Sequence, residues 1–323
     1  MRVLITGFEP FGSHITNPSQ IIVESLQQSL SFESIEFEFE VLEVSKTGSH
    51  KIASSFTPDN AYDLVIHLGL CESCQDIRVE TRAADRLDMR IPDNEGRQIA
   101  DSIIDGDGYV YSELPLHHLI EDADRVIESI DAGTFICNET YRQTLLAFDR
   151  VGLRRHCVFL HLPPFETLPL QNSLALVSSM IMQCITSLQK STIDVAALAL
   201  LSEQNEVFTA HRVGSTISGW EFPGGKFEST ETALQTIERE IFEELNVEIK
   251  GIKTVGRWDV DIKGQTYSLY LTHAVLNGKG TKNLELREHS ATRWVSPSEF
   301  ESIPWLPHDV NLARYLSKII PNL

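Results

Sequence analysis

The chain lacks long apolar runs, low-complexity tracts and any surplus of positive charge, and each absence closes a class of function. No stretch approaches the ~20 apolar residues that a membrane-spanning helix needs. The most apolar helical pattern, "NSLALVSSMIMQCITSL", is interrupted by Ser, Gln and Thr and suits the closing helix of a domain. With 27 Lys and Arg against 46 Asp and Glu, the net charge is −19, which argues against a nucleic-acid polymer as partner. A phosphate backbone is bound by clustered cations. An acidic chain still accepts an anionic small molecule when a divalent cation mediates. "MRVLITGF" reads as a first strand and has no long apolar core, which argues against a signal peptide.

Cysteine is scarce too. Five in a chain of 323 residues is an odd number, which points to reduced thiols and a cytoplasmic location. Their placement is uneven. Cys71, Cys74, Cys137, Cys157 and Cys184 all precede residue 190, as does every Met, whereas Trp220, Trp258, Trp294 and Trp305 all follow it. Composition changes near "LQKSTIDV", and the length suits two domains, 1–190 and 191–323.

In the first, "RVLITGF", "EFEFEVLEV", "YDLVIHLGL", "GTFIC" and "HCVFLHL" read as strands. "SQIIVESLQQSL", "LPLHHLIEDADRVIESI" and "NETYRQTLLAFDRV" read as helices. That alternation predicts an α/β/α domain with a largely parallel, buried sheet. In the second, "DVAALALLS" and "EVFTAHRV" make a hairpin around "EQN". One long helix over about 230–245, further strands and a C-terminal helix predict an α/β/α sandwich with a mixed sheet.

That long helix carries Leu234, Ile237, Ile241 and Leu245 as an apolar stripe. Beside it stand Glu240, Glu243 and Glu244, spaced i, i+3, i+4 on one face, where like charges weaken a helix. A merely solvated face more often interleaves Lys. Upstream, "WEFPGGK" offers a Pro-Gly-Gly turn whose carbonyls approach a ligand closely. Hard carboxylate and carbonyl oxygens suit Mg²⁺ or Mn²⁺.

Gly225, Glu231 and "REIFEE" at 239–244, extending to Val247, resemble the Nudix box, with Asn246 where the family usually has Gly. Asn tolerates a left-handed backbone, so the helix-ending turn should survive. The resemblance implies hydrolysis of a nucleoside diphosphate linked to another group. Glu240, Glu243 and Glu244 would hold metal beside the Gly225 carbonyl, one glutamate (Glu240) doubling as base, with Arg239 orienting a carboxylate. Glu288 matches by spacing a further acidic residue of some members. Arg212 matches a phosphate-facing Arg; the alternative is an exposed charge at a strand end. "GWEFPGGK", "RWVSPSEF" and "LPHDVNL" are similar to the MutT-type branch that cleaves nucleoside triphosphates. There Asp309 would read the base, or else cap the last helix.

Cys137, in "AGTFICNETYRQTLLAF", stands where a strand gives way to a helix, whose dipole favours a thiolate. His161 ends a later strand, and Glu80 is available to orient an imidazole. By residue type alone, a buried Cys and a satisfied core His remain open. "VLITGFEPFG", "TNPS", "RIPDNEG", "AGTFICN" and "FLHLPPF" occur in the order found in pyroglutamyl peptidase I, which residues 1–190 resemble. The resemblance implies Cys137 as nucleophile, His161 as base and Glu80 as third member, with no cofactor. Phe8 and Phe11 would sandwich a lactam ring, and Ile91, Phe135 and Ile136 would line the pocket. Asn17 would offer a polar contact, the alternative being a turn before the next helix. Leu70, Cys74 and Asp85 replace a Gln, an Arg and an Asn of the family, which weakens the case for a pyroglutamate pocket. "CESC" at 71–74 also has the form of a redox pair or half a zinc site, and "DGDGY" at 105–109 reads as a turn.

The expected protein is a fusion. A cysteine peptidase would release N-terminal pyroglutamate from peptides, and a Mg²⁺- or Mn²⁺-dependent Nudix domain would cleave a nucleoside triphosphate, oxidised or not, to monophosphate and pyrophosphate. Relatives of the first half often assemble into homo-oligomers. Two rivals stand beside it: a first domain degenerated into a binding or regulatory module, and a Nudix domain acting on a sugar nucleotide or ADP-ribose.

Overall fold

The computed structural model describes residues 1–121, 123–213, 218–228, 231–276 and 289–322. The chain divides into two compact units, Met1–Gln189 and Lys190–Leu323.

The first unit contains β1 (Arg2–Phe8), α1 (Pro18–Ser29), β2 (Glu36–Leu42), α2 (Lys46–Ser55), β3 (Leu64–Leu70), β4 (Ile77–Glu80), β5 (Arg82–Ala83), β6 (Val110–Tyr111), β7 (Val126–Ser129), α3 (Ile136–Arg150), β8 (Cys157–Leu162) and α4 (Leu170–Gln189). Its main sheet runs β2-β1-β3-β8-β4-β7, parallel except where β4 meets β8. The period of two along each strand deals side chains to opposite faces. Val3 and Ile5, Leu64 and Ile66, Val158 and Leu160 pack with Ile22 and Leu26 of α1 and Val177 and Ile181 of α4. Leu4, Phe8, Val65, Cys157 and Phe159 face the other way, toward Ile52 of α2 and Tyr141 and Leu145 of α3. The expected α/β/α layering with a largely parallel sheet is present.

Two expected elements differ. "GTFIC" is not a strand: Asp88 and Thr134 exchange backbone and hydroxyl bonds, Asp131 Oδ1 receives the Gly133 N–H, and α3 starts at Ile136. The segment expected as a helix over 114–130 makes one 3-10 turn at Leu116–Leu119 and then β7, because Val126 to Ser129 pair with Ile77 to Glu80. Tertiary pairing there overrides a helical spacing of apolar residues.

The second unit contains β9 (Ile193–Leu201), β10 (Val207–Val213), β11 (Ser218–Glu221), β12 (Gly224–Lys226), α5 (Ala233–Leu245), β13 (Ile249–Ile262), β14 (Gln265–Leu276), β15 (Ala291–Val295) and α6 (Asp309–Ile319). Its mixed sheet runs β11-β10-β9-β14-β13, with β12 on β9 and β15 on β10. Helix α5 opens with a Thr232–Gln235 capping box. It buries Ala233, Ile237, Ile241 and Leu245 against Leu198, Leu200, Phe208 and Tyr270, worth about 1.5–3 kcal/mol for each large side chain. Leu234, expected in this stripe, is exposed, and Ala233 takes its place. Asn246 ends the helix in the left-handed region, φ 53°, and its N–H reaches the Phe242 carbonyl, as the Gly-to-Asn exchange requires.

Candidate functional sites

In the first unit, alternation along the strands brings the reactive residues onto the α3 face. His161 follows Phe159 by two on β8, and Glu80 lies opposite Phe159 in the antiparallel β4–β8 pair, so Glu80 and His161 are diagonal neighbours on one face. His161 Nδ1 lies 2.8 Å from Glu80 Oε1, with Glu80 wholly buried and its Oε2 buried without a hydrogen-bond partner. Cys137, partly exposed, is the second residue of α3 and acts on His161 strongly enough to help raise its pKa. Burial alone would lower the His161 pKa; the bonds to Cys137 and Glu80 outweigh it and raise the value to about 10. The imidazole is therefore held as a cation at neutral pH.

Neighbouring bonds hold this geometry. Tyr141, one helical turn beyond Cys137, donates its hydroxyl to the Glu80 carbonyl at 2.9 Å. Asn138 fastens the same helix to Ala84 and Arg86 through three bonds of 2.7–3.1 Å. Arg97 grips Glu139 while Asp93 holds Arg97, tying the "RIPDNEG" loop to the nucleophile's first turn. Gly69, paired with His161 across β3–β8, is a site residue that motif reading passed over. A Cβ there would lie 2.7 Å from the Phe159 ring and 3.1 Å from Cys137 Sγ.

The expected pocket residues gather only in part. Phe11 and Phe135 are 5.9 Å apart between ring centroids, Ile91 reaches over Gly12, and Ile136 is buried in the helix start. Phe8 is 2% exposed and stacks on Phe159, so its ring belongs to the core and forms no open sandwich with Phe11. Asn17 caps α1: Oδ1 accepts from Ser19, and Nδ2 donates to the Glu9 carbonyl, which is the alternative role. Asp85 receives the backbone N–H groups of Ile104, Asp105 and Gly106 and so builds the "DGDGY" turn around buried Arg142. Cys71 and Cys74 form a disulfide, correcting the expectation of thiols reduced throughout. The turn between them, closed by the Cys74 N–H on the Cys71 carbonyl, brings their Cα atoms to 5.4 Å, within bridging distance.

In the second unit, Arg239 organises the carboxylates. Its guanidinium takes both oxygens of Glu231 at 2.8 and 2.9 Å, Glu240 Oε1 at 2.8 Å and the Lys226 carbonyl at 3.1 Å. The Arg239 hydrogen bond pulls Glu231 down to about 2. Glu240 is mostly covered, Glu243 is exposed and Glu244 is buried. A Cβ on Gly225 would collide with the Glu240 carboxylate, so the bare backbone of β12 lies directly against it. Glu240 against the β12 backbone, with Glu243 and Glu244 on the same helix, offers carboxylate oxygens of the hard type that Mg²⁺ or Mn²⁺ prefers. Glu288 lies outside the described residues.

A second cluster was not foreseen. Glu221, buried on β11, accepts from Arg212 Nε at 2.6 Å and His289 Nε2 at 2.8 Å. Burial pushes its pKa up, but His289 and Arg212 prevail and lower it. Arg212 is thus half exposed and paired with Glu221. Asp309 opens α6 but does not cap it. It is 2% exposed and accepts the Phe222 N–H at 3.2 Å, and burial pushes its pKa well above the ordinary carboxyl value. No pattern in the sequence pairs Glu221 with His289, because these residues meet only through the fold.

A Cys–His–Glu constellation on a largely parallel sheet and a carboxylate-lined helix are both hydrolase equipment, and the comparisons agree: this is a hydrolase. The chain belongs to the pyroglutamyl peptidase family, whose model matches residues 1–199, and it carries a NUDIX domain over residues 190–316. It is 31% identical over 172 residues to the pyrrolidone-carboxylate peptidase of Streptococcus suis strain 05ZYH33, covering 50% of this chain and 78% of that one. The same enzyme of Brachyspira hyodysenteriae is 32% identical over 169 residues, covering 50% and 83%. Among solved structures, pyrrolidone carboxyl peptidase of Pyrococcus furiosus matches at TM-score 0.54 and 26% identity, covering 58% of this chain and 100% of that chain. That of Fervidobacterium islandicum AW-1 matches at 0.53 and 29%, covering 58% and 99%.

Proposed function

We propose that the protein is bifunctional: its first unit removes N-terminal pyroglutamate from peptides, and its second hydrolyses a nucleoside triphosphate to monophosphate and pyrophosphate. The observation that carries the first reading is the 2.8 Å bond from His161 to buried Glu80, with Cys137 acting on the same imidazole from the start of α3. Cys137, as thiolate, attacks the carbonyl carbon that follows the lactam ring. N–H groups of the first turn of α3 have no intrahelical acceptor and stand ready for the developing oxyanion. His161 gives its proton to the leaving amine, and a thioester forms at Cys137. Water then attacks that thioester, with His161 now accepting a proton, and Glu80 keeps the ring oriented throughout. Phe11, Phe135 and Ile91 supply apolar contact to the lactam.

In the second unit, Glu240, Glu243, Glu244 and the Gly225 carbonyl would hold the divalent cation. Such a cation polarises a pyrophosphate and lowers the pKa of an attacking water. Glu240 takes the water's proton, and Arg239 fixes Glu240 and Glu231. Asp309, raised toward its neutral form by burial, would when protonated donate to an acceptor on a purine edge, while His289 and Arg212 favour the anionic form of Glu221.

The test is pyroglutamyl-aminocoumarin hydrolysis by the wild type beside Cys137→Ala, with pyrophosphate release from a nucleotide panel in Mg²⁺. Peptidase turnover abolished by the mutation supports the reading. A folded wild type with no turnover favours the binding-module rival, and preference for a sugar nucleotide or ADP-ribose would overturn the triphosphate assignment.

A further inference from the structure

The Cys71–Cys74 turn follows the last residue of β3, Leu70, next to Gly69, whose missing Cβ makes room for Cys137. Its backbone is stitched to the neighbouring strand: Cys71 N–H donates to the Leu162 carbonyl at 2.9 Å, one residue beyond His161. From its tip Glu72 reaches His14 Nε2 at 2.6 Å. His14 belongs to the loop that carries Phe11; its N–H bonds the Phe11 carbonyl at 3.1 Å, and the two rings are 5.6 Å apart. On its other side the loop is fastened by Asn94 Nδ2 on the Pro10 carbonyl and by Ile91 over Gly12. The disulfide therefore braces one wall of the Phe11–Phe135 pocket through a single side chain.

We propose that Cys71–Cys74 is a redox-modification site that sets the grip of this pocket, its co-reactant being a thiol reductant. Cys71 is partly exposed and Cys74 is 2% exposed, which fixes the direction of exchange. The reductant's thiolate attacks Cys71 Sγ; the S–S bond breaks and Cys74 leaves as thiolate, taking up a proton. A second thiol attacks the mixed disulfide, releasing Cys71 and the oxidised reductant. Two thiols are oxidised to one disulfide while the protein gains two. Opening the bridge frees the 71–74 turn, so Glu72 is no longer presented to His14 and the Phe11 loop loosens. The Glu72–His14 contact is half exposed, so the effect on substrate KM is about fivefold at most, the scale of one surface pair. The chemical step, set by Glu80, His161 and Cys137, keeps its kcat.

The kinetic readout rests on the peptidase reading, so a second readout stands apart from activity. Full-length protein oxidised in air is compared with protein reduced by dithiothreitol and with the Cys71→Ser/Cys74→Ser double variant. Hydrogen exchange is followed over residues 9–17, and thiols are mapped by alkylation and mass spectrometry. The expected result is a Cys71–Cys74 bridge in the oxidised sample and faster exchange at His14 once it is opened. KM should rise in the double variant relative to oxidised wild type, both assayed without reductant. Glu72→Gln should reproduce that KM with the bridge intact. Unchanged exchange over 9–17 on opening the bridge, or free thiols at both positions in air, overturns the proposal. Faster exchange from a protein without turnover would leave the switch standing and sink the peptidase reading alone.

Discussion

Glu80 Oε1 and His161 Nδ1 meet at 2.8 Å, with Glu80 fully buried and His161 8% exposed. A neutral isostere at position 80 keeps the shape but removes the charge that holds the imidazolium. Glu80→Gln should lower kcat for pyroglutamyl-aminocoumarin by about 10³-fold or more, the scale seen when the orienting carboxylate of a triad becomes an amide. An unchanged circular-dichroism spectrum would separate this loss from misfolding. Turnover within tenfold of wild type would remove Glu80 from the catalytic set.

The raised His161 pKa also links stability to pH. Its folded value, about 10, lies above the ordinary 6.5, so its contribution is fully present below about pH 6.5 and is lost as pH rises toward 10. Thermal unfolding between pH 6 and 10 should show the wild type weakening with alkalinity more steeply than His161→Gln. Parallel curves would mean that the imidazole is not held as a cation.

How far the sequence carried these sites depended on the kind of information each needed. His161 sits near the end of a strand with a clear apolar pattern, and the helix that starts beside Cys137 was readable, whereas the strand expected before it is a loop. Glu80 was found only by counting along a motif, because β4 is four residues long and makes sense only once β7 and β8 flank it. The same long-range pairing turned an expected helix into β7. Asn17 and Phe8 were assigned to the pocket by position, whereas capping and core packing claim their side chains. The end of the Nudix helix was legible, since its apolar stripe and left-handed Asn246 are local. The exchange of Leu234 for Ala233 shows the limit: a period of 3.6 leaves one residue of latitude at the helix start.

On that helix, Glu243→Gln with Glu244→Gln should abolish Mg²⁺-dependent pyrophosphate release. Peptidase turnover should be untouched, since each unit holds its own core. Both activities measured on one preparation provide the internal control. Release that survives the double change would show that the cation is not held by this face.

Asp309 gives the most discriminating experiment in the second unit, because burial and charge act against each other there. Its pKa is pushed well above the carboxylate range by burial, while the Phe222 N–H bond partly opposes the shift. A carboxyl whose folded value is raised stabilises the fold only while protonated, so its contribution is complete below the ordinary value and is lost as pH rises through the folded one. Asn at this position still accepts the Phe222 N–H, donates through its amide and never ionises. Asp309→Asn should therefore raise the unfolding temperature of the Nudix unit at pH 8 and flatten its pH dependence. If the buried acid serves as a donor to the base, the variant should also keep its nucleotide preference, whereas Asp309→Ala loses it. A variant less stable than wild type at pH 8 would mean that Asp309 is ionised in the folded protein, paired with His308, whose Nε2 lies 3.2 Å from Oδ2.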